Sequence, residues 1–208
     1  MTELTHEASL EHAHPEHEGT GVEDRKLGMW LFLSSEFLFF GAFITNYMLY
    51  SHRPGFNIYP AQVYDIPFTS VSSFVLLMSS LTMVLAHNAL SRHDQPQART
   101  WLFATAALGS VFLAGQVFEF TEFVVHYDMT LTSNPVAGAF FVLTGFHGLH
   151  VAIGVIMLLS LFGISRWKGE LSDEHGMNLE MVGLYWHFVD IIWIVIFTVV
   201  YLIDASRL

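Results

Sequence analysis

The stretch GFHGLHVAIG, residues 145–154, places His147 and His150 three positions apart inside an otherwise apolar run. Side chains at that spacing share one helix face. The chemistry open to them there is metal or haem ligation, proton handling, or a buried structural hydrogen bond. Three further apolar runs carry polar or ionisable groups. WLFLSSEFLFF holds Glu36, roughly 13 Å along a helix from where its apolar run begins. A carboxylate at that depth is costly unless it is protonated or paired. It is either a neutral acid hydrogen-bonded to a neighbouring helix or a group that handles protons. GQVFEFTEF holds Gln116, Glu119 and Glu122, which steps of three put on one broad side of a helix. A di-metal bundle site would want Glu-x-x-His pairs. This stretch offers Glu-x-x-Glu, with His126 the nearest histidine, so interhelical hydrogen bonding is the stronger reading. LYWHFVDIIWI holds His187 and Asp190, also three apart; Asp190 is expected to accept a hydrogen bond from the imidazole. The depths allow one cluster of Glu36, His187 and Asp190 beside His147 or His150. They equally allow each group to be satisfied against a different neighbour.

These residues need elements that hold them inside hydrocarbon. Five apolar segments, residues 27–50, 68–90, 101–125, 137–164 and 181–203, exceed or approach the ~20 helical residues that cross roughly 30 Å of bilayer. Backbone in lipid must satisfy its own hydrogen bonds, and the period-2 alternation of a membrane barrel is absent. The fold class is therefore an all-α integral membrane protein, a five-transmembrane-helix bundle. Breaks with turn chemistry separate the segments: HRPGFN at 52–57, the QP within Asp94–Gln97, Asn134–Pro135, and WKGELSDEHG at 167–176. Glycines 145, 148 and 154 leave room for close helix contact. Trp30, Trp101, Trp167 and Tyr201 fall near the segment ends and suit an aromatic belt at the membrane interfaces. Arg25, Lys26, Arg92, Arg99, Arg166 and Lys168 lie on one side of the bundle, against Arg53 and Arg207 on the other. The positive-inside rule then puts the N-terminus in the cytoplasm and the C-terminus outside.

Composition narrows the function. The chain has 208 residues, 53% hydrophobic and 13% charged, and contains no cysteine. Disulfides, zinc–thiolate sites, iron–sulfur clusters and thiolate copper sites are excluded. The net charge of −11 is concentrated at the start, where Glu3, Glu7, Glu11, Glu16, Glu18, Glu23 and Asp24 lie. A nucleic-acid partner would require a basic patch, which is missing. Residues 1–26 have no apolar run and read as an acidic, His-rich cytoplasmic tail. Its His6, His12, His14 and His17 could chelate a metal weakly, but interleaved acids favour a solvated tail. On residues alone, three functions compete: a subunit of a larger complex, a stand-alone proton or solute channel, and a membrane dihaem cytochrome using His147 or His150 with His187.

Four stretches tip the balance. SSEFLFFGAF (34–43), GQVFEFTE (115–122), AFFVLTGFHGLHVAIG (139–154) and LYWHFVDIIWIVIFTVVYL (184–202) together resemble subunit III of the haem–copper respiratory oxidases, in that family's order and spacing. The resemblance implies a non-catalytic subunit of a proton-pumping terminal oxidase, cytochrome c oxidase or its quinol-oxidising relative. It places no haem or copper in this chain; both belong to partner subunits. It implies direct packing on subunit I, with subunit II and a small subunit IV as companions, and contacts with membrane lipids and bound phospholipid. Glu36 matches the family's intramembrane carboxylate, which supports proton uptake. Gln116, Glu119, Glu122, His147, His150, His187 and Asp190 match its polar packing network. The longer family form has seven helices and holds lipid in a cleft between its first two and the other five. This chain matches the shorter five-helix form of bacterial oxidases, so the expected location is the bacterial plasma membrane, and such a cleft would need two helices from another chain.

Overall fold

The computed structural model describes residues 24–51, 63–169 and 173–203. Residues 1–23, most of the expected tail with its four histidines, and the HRPGFN break lie outside these. The described chain is helical throughout: α1 Asp24–Ser51, α2 Ile66–Ser91, α3 Gln95–Tyr127, α4 Pro135–Lys168 and α5 Asp173–Ile196, the last continuing as a π-helical segment, Phe197–Ile203. All five are long and apolar enough to cross a membrane. They outrun the apolar segments because polar first and last turns extend each helix past the hydrocarbon.

Two of the expected breaks, at Asp94–Gln97 and Asn134–Pro135, are helix starts, and Asp65 begins a third helix. Asp65 accepts from the backbone N–H of Phe68 (3.1 Å), Asp94 from that of Gln97 (3.1 Å) and Asn134 from that of Ala137 (2.7 Å). Each cap satisfies an N–H that the first turn would leave without a partner. A proline follows within two residues in every case, Pro67, Pro96 and Pro135, where its missing N–H costs nothing. The α2–α3 connection is only Arg92–Asp94, with His93 turned to φ 59°. So tight a turn makes α2 and α3 antiparallel neighbours.

Helix α4 touches α1, α3 and α5, while α5 also meets α1 and α2. The two helices carrying the histidine motifs therefore form the centre. Trp186 of α5 is the pin. Its indole is 1% exposed and donates through Nε1 to Ser79 Oγ of α2 (3.0 Å). Its ring lies against Gly109 of α3 on one edge and Gly154 of α4 on the other: a Cβ at either would come within 2.5 and 2.7 Å of the ring. Small residues that let helices approach closely are the usual device of packing in lipid, where apolar burial alone gives no preference between helix and solvent. Ion pairs and polar contacts close the ends. Lys26 of α1 meets Glu180 of α5 at 3.0 Å, and Arg99 of α3 donates to Ser165 Oγ of α4 (2.7 Å) and to the Gly169 carbonyl. Outward faces remain apolar: Leu31, Leu38 and Leu49 of α1 and Ile156 of α4 are well exposed, as a lipid-solvated surface requires.

Candidate functional site

Helix α1 carries Glu36 against α4, where its Oε2 lies 3.2 Å from His150 Nε2. The two side chains are 18% and 11% exposed, and the approach lacks the geometry of a full hydrogen bond. The other imidazole nitrogen, Nδ1, is 2.7 Å from the Phe146 carbonyl one turn back, which fixes the ring. Phe40 meets that ring edge-on at 5.0 Å, Tyr185 stacks on it at 6.4 Å, and the Tyr185 hydroxyl donates to the His150 carbonyl (3.0 Å).

His147 faces elsewhere. Its ring is completely buried, and neither nitrogen has a hydrogen-bond partner. It stacks on Trp193 at 4.8 Å and 25°, with Phe112 edge-on at 5.8 Å. Spacing of three put both histidines on one broad face, but the ~60° between them divides them between α1 and the α3–α5 interior.

The depth-matched cluster of Glu36, His187 and Asp190 does not form. His187 Nδ1 instead meets Ser80 Oγ of α2 at 2.6 Å. Asp190 also faces Ser80, and neither of its carboxyl oxygens has a hydrogen bond of full geometry. In place of the expected His187–Asp190 bond, His187 is held by an interhelical serine. Side chains three apart on one helix both project outward to the neighbour, and a hydroxyl on that neighbour reaches them before they reach each other. The same face of α2 supplies Ser73, which accepts from Trp193 Nε1 (2.8 Å), while Thr82, on the side towards α3, lies 2.8 Å from Thr105.

The polar residues of α3 also part company. Gln116 Nε2 donates to the Thr144 carbonyl of α4 (2.6 Å), its amide lying over Gly148. Glu119 is 7% exposed and accepts from Thr69 Oγ1 (2.9 Å) and the Tyr201 hydroxyl (3.2 Å). Glu122 lines a cavity of about 350 Å³ with Asp65 and Glu119, beside the start of α2. Tyr201, expected in the aromatic belt, is 1% exposed, its ring 4.4 Å from that of Tyr64 and tilted 36° to it. It lies on the π-helical segment Phe197–Ile203, whose i→i+5 bonds turn successive side chains through a different angle from an α-helix. Trp30 and Trp167 are exposed at helix ends. The residues sequence reasoning passed over are Thr69, Ser73, Ser79, Ser80, Trp186 and Trp193. Their signal was the run of small hydroxyl residues in TSVSSFVLLMSSLTM, positioned for interhelical bonding.

Two glycines give contrasting expectations. Gly154→Ala pushes a methyl into the rigid Trp186 ring and should destabilise the bundle by about 1–3 kcal/mol. Gly148→Ala meets only the end of the flexible Gln116 side chain, which can turn away at the loss of its bond to Thr144; bonds of this kind in membranes average about 0.6 kcal/mol. Denaturation midpoints in mixed detergent should rank them in that order, and a larger loss for Gly148→Ala would refute the packing argument.

Among the described residues no group of three or more His, Asp or Glu side chains converges to hold a metal ion. Gln116, Glu119 and His187 bond instead to other helices. Five apolar helices around such an interior define a multi-pass membrane protein. Residues 1–205 match the sequence model of the family described as cytochrome c oxidase subunit III. The cytochrome c oxidase subunit 3 of Synechocystis sp. is 38% identical over 198 residues, covering 95% of this chain and 80% of the relative. That of Thermostichus vulcanus is 36% identical, covering 94% and 92%. A probable quinol oxidase subunit 3 of Staphylococcus saprophyticus is 33% identical, covering 86% and 88%. The chain belongs to the cytochrome c oxidase subunit III family, and it is a subunit III of a haem–copper oxidase. The comparisons do not favour a stand-alone channel.

Proposed function

We propose that this chain is a non-catalytic subunit of a proton-pumping terminal oxidase fed by cytochrome c, in a bacterial plasma membrane. The N-terminus lies in the cytoplasm, as the distribution of Lys and Arg supports. The observation that carries the reading is the family match over residues 1–205. The polar groups support it: Glu119 is engaged with two hydroxyls, His187 with Ser80, and His150 with Glu36 and a backbone carbonyl. Groups committed in this way grip helices; haem and copper reside in the partner subunits. Subunit I packs directly on this bundle, with subunit II and a small subunit IV completing the complex. Lipids cover the remaining apolar face. Glu36, on the outermost helix and facing His150, supports proton uptake by subunit I, and Gln116, Glu119, Glu122, His147, His150, His187 and Asp190 form the structural polar network.

A quinol-fed complex is the second reading, favoured by relatives named as quinol oxidase subunits at 31–33% identity. The purified complex, assayed with reduced cytochrome c and with a quinol, should consume oxygen with the first. Turnover with quinol alone would replace the first reading by the second. The lone chain should show no Soret absorbance, and a stoichiometric haem bound to it would end the non-catalytic assignment.

A further inference from the structure

The end of the bundle where α1, α3 and α5 start and α2 and α4 finish carries a cavity apart from the polar network. It occupies about 360 Å³ between the first turns of α3 and the last of α4, and is lined by Pro96, Arg99, Thr100, Phe103, Phe162 and Arg166. Arg99 and Arg166 lie just outside the apolar segments 101–125 and 137–164, so a polar ligand reaches them without entering hydrocarbon. Each arginine has a phenylalanine four residues away, about one helical turn deeper. The two phenyl rings meet with centroids 5.5 Å apart, and Phe103 is 53% exposed. Ser165 and the Gly169 carbonyl hold Arg99 at the cavity wall, and neither neutralises it. Arg166 is exposed, and neither arginine makes an ion pair among the described residues. Two guanidinium groups above an apolar floor suit carboxylates that flank an apolar side chain, since the arginine fork matches carboxylate oxygens.

The chain itself offers such a stretch at this end of the bundle. Residues 1–23 precede α1 and hold Glu3, Glu7, Glu11, Glu16, Glu18 and Glu23, with no Lys or Arg. Leu10 stands between Glu7 and Glu11. Asp24 opens α1, and α4 touches both α1 and α3. Crossing α4 to the groove takes about 20 Å, at 8–10 Å from one helix axis to the next. The stretch from Glu11 to Asp24 spans up to roughly 40 Å when extended, so Leu10 reaches the groove with slack. Val22 is too near α1 to reach it, and Leu4 would close a longer loop at a greater entropic cost. Exposed ion pairs are individually too weak to hold a free peptide. A tether changes that. It supplies an effective concentration on the order of 1 mM, at which a groove with a Kd of about 1 mM is half filled.

We propose that the chain's own acidic segment, residues 7–11, docks in the α3–α4 groove, with Glu7 and Glu11 on Arg99 and Arg166 and Leu10 over Phe103 and Phe162. Docked there, the segment crosses the end of α4. It ties α1, whose apolar window is the least buried of the five, to the α3–α4 pair. The docking needs only that segment and groove lie at one end of the bundle, which the order of the helices sets.

The test uses the intact oxidase complex with a photoreactive benzophenone amino acid in place of Leu10, and maps the peptides it cross-links on illumination. Those holding Phe103 and Phe162 should carry the cross-link. Arg166→Gln removes an exposed side chain and leaves the Arg99 contacts in place. One exposed ion pair supplies at most about fivefold in the docking equilibrium. Its loss takes a half-filled groove to about one-sixth filled, so the yield should fall ~3-fold. Raised salt should lower the yield in the chain that keeps both arginines. Arg92→Gln, an equal charge loss at the same end but outside the cavity, should keep the yield. A cross-link to a partner subunit or to lipid instead overturns the docking. So does an equal fall in both arginine variants, or a yield that neither Arg166→Gln nor salt reduces.

Discussion

Trp186→Ala should destabilise the bundle by about 3–5 kcal/mol, the range for deleting a buried aromatic ring and leaving the cavity unfilled. The indole is 1% exposed, and three helices meet on it through Ser79, Gly109 and Gly154. Magnitudes decide which contact matters. The Nε1–Ser79 hydrogen bond is a bond of the class that averages about 0.6 kcal/mol in membranes. Ser79 is not orphaned by its loss, since its own hydroxyl donates to the Leu76 carbonyl. Packing therefore dominates, and Trp186→Phe, which keeps much of the ring and loses the donor, should fall well short of the alanine variant. The measurement is the detergent-denaturation midpoint of the purified complex, together with the fraction of complexes that retain this subunit. If the phenylalanine variant matched the alanine one, the hydrogen bond would be the larger contribution and the glycine–indole packing would be incidental.

Glu36→Ala should leave the oxidase assembled but shorten its working life under turnover. Assembly survives because Glu36 lies on α1, whose apolar window is the least buried of the five, and because His150 stays anchored to the Phe146 carbonyl through Nδ1. What is lost is the 3.2 Å contact with His150 Nε2 in a largely dry setting. Leaving a buried polar atom without its partner costs ~1–3 kcal/mol. The number of turnovers before inactivation should therefore fall below that of the wild type. The check counts oxygen reduced per complex until activity decays, with initial rate measured alongside. Wild-type endurance in Glu36→Ala would remove the carboxylate from any role in proton supply. A double variant, Glu36→Ala with His150→Phe, separates the two functions of the pair: endurance restored by removing both would point to structural satisfaction alone, and endurance still lost would point to the carboxylate's proton chemistry.

Asp190 calls for a revised expectation. With His187 bonded to Ser80 rather than to Asp190, Asp190→Ala does not strip the imidazole of its partner. Its effect on assembly should be smaller than that of Ser80→Ala, which removes the hydroxyl both side chains face. Pull-down of the partner subunits with each variant compares them directly, and the reverse order would restore a direct His187–Asp190 link.

The amino-acid order by itself determined the class of molecule and the number of spans. Five apolar segments, each near the length of a bilayer, admit one backbone solution, because lipid offers no hydrogen bonds to any other. The helix starts were legible only in part: the segments were expected from 68, 101 and 137, whereas the caps at Asp65, Asp94 and Asn134, each with a proline after it, begin the helices at Ile66, Gln95 and Pro135. The ionisable residues that matter were visible as well, because a Glu, Asp or His in hydrocarbon is too costly to be incidental. Their partners were not visible. Periodicity tells which side of a helix a residue occupies, but not which helix lies opposite. Only the tertiary structure decided that Glu36 meets His150, that Ser80 stands before His187 and Asp190, and that His147 packs on Trp193. Tyr201 is a further case: near the end of the last span, it turns inward and donates to Glu119 instead of facing outward. Burial cost is a property of one residue in its solvent and can be read along a chain. Pairing is a property of two helices and the small residues that let them approach, and it exists only once they have packed.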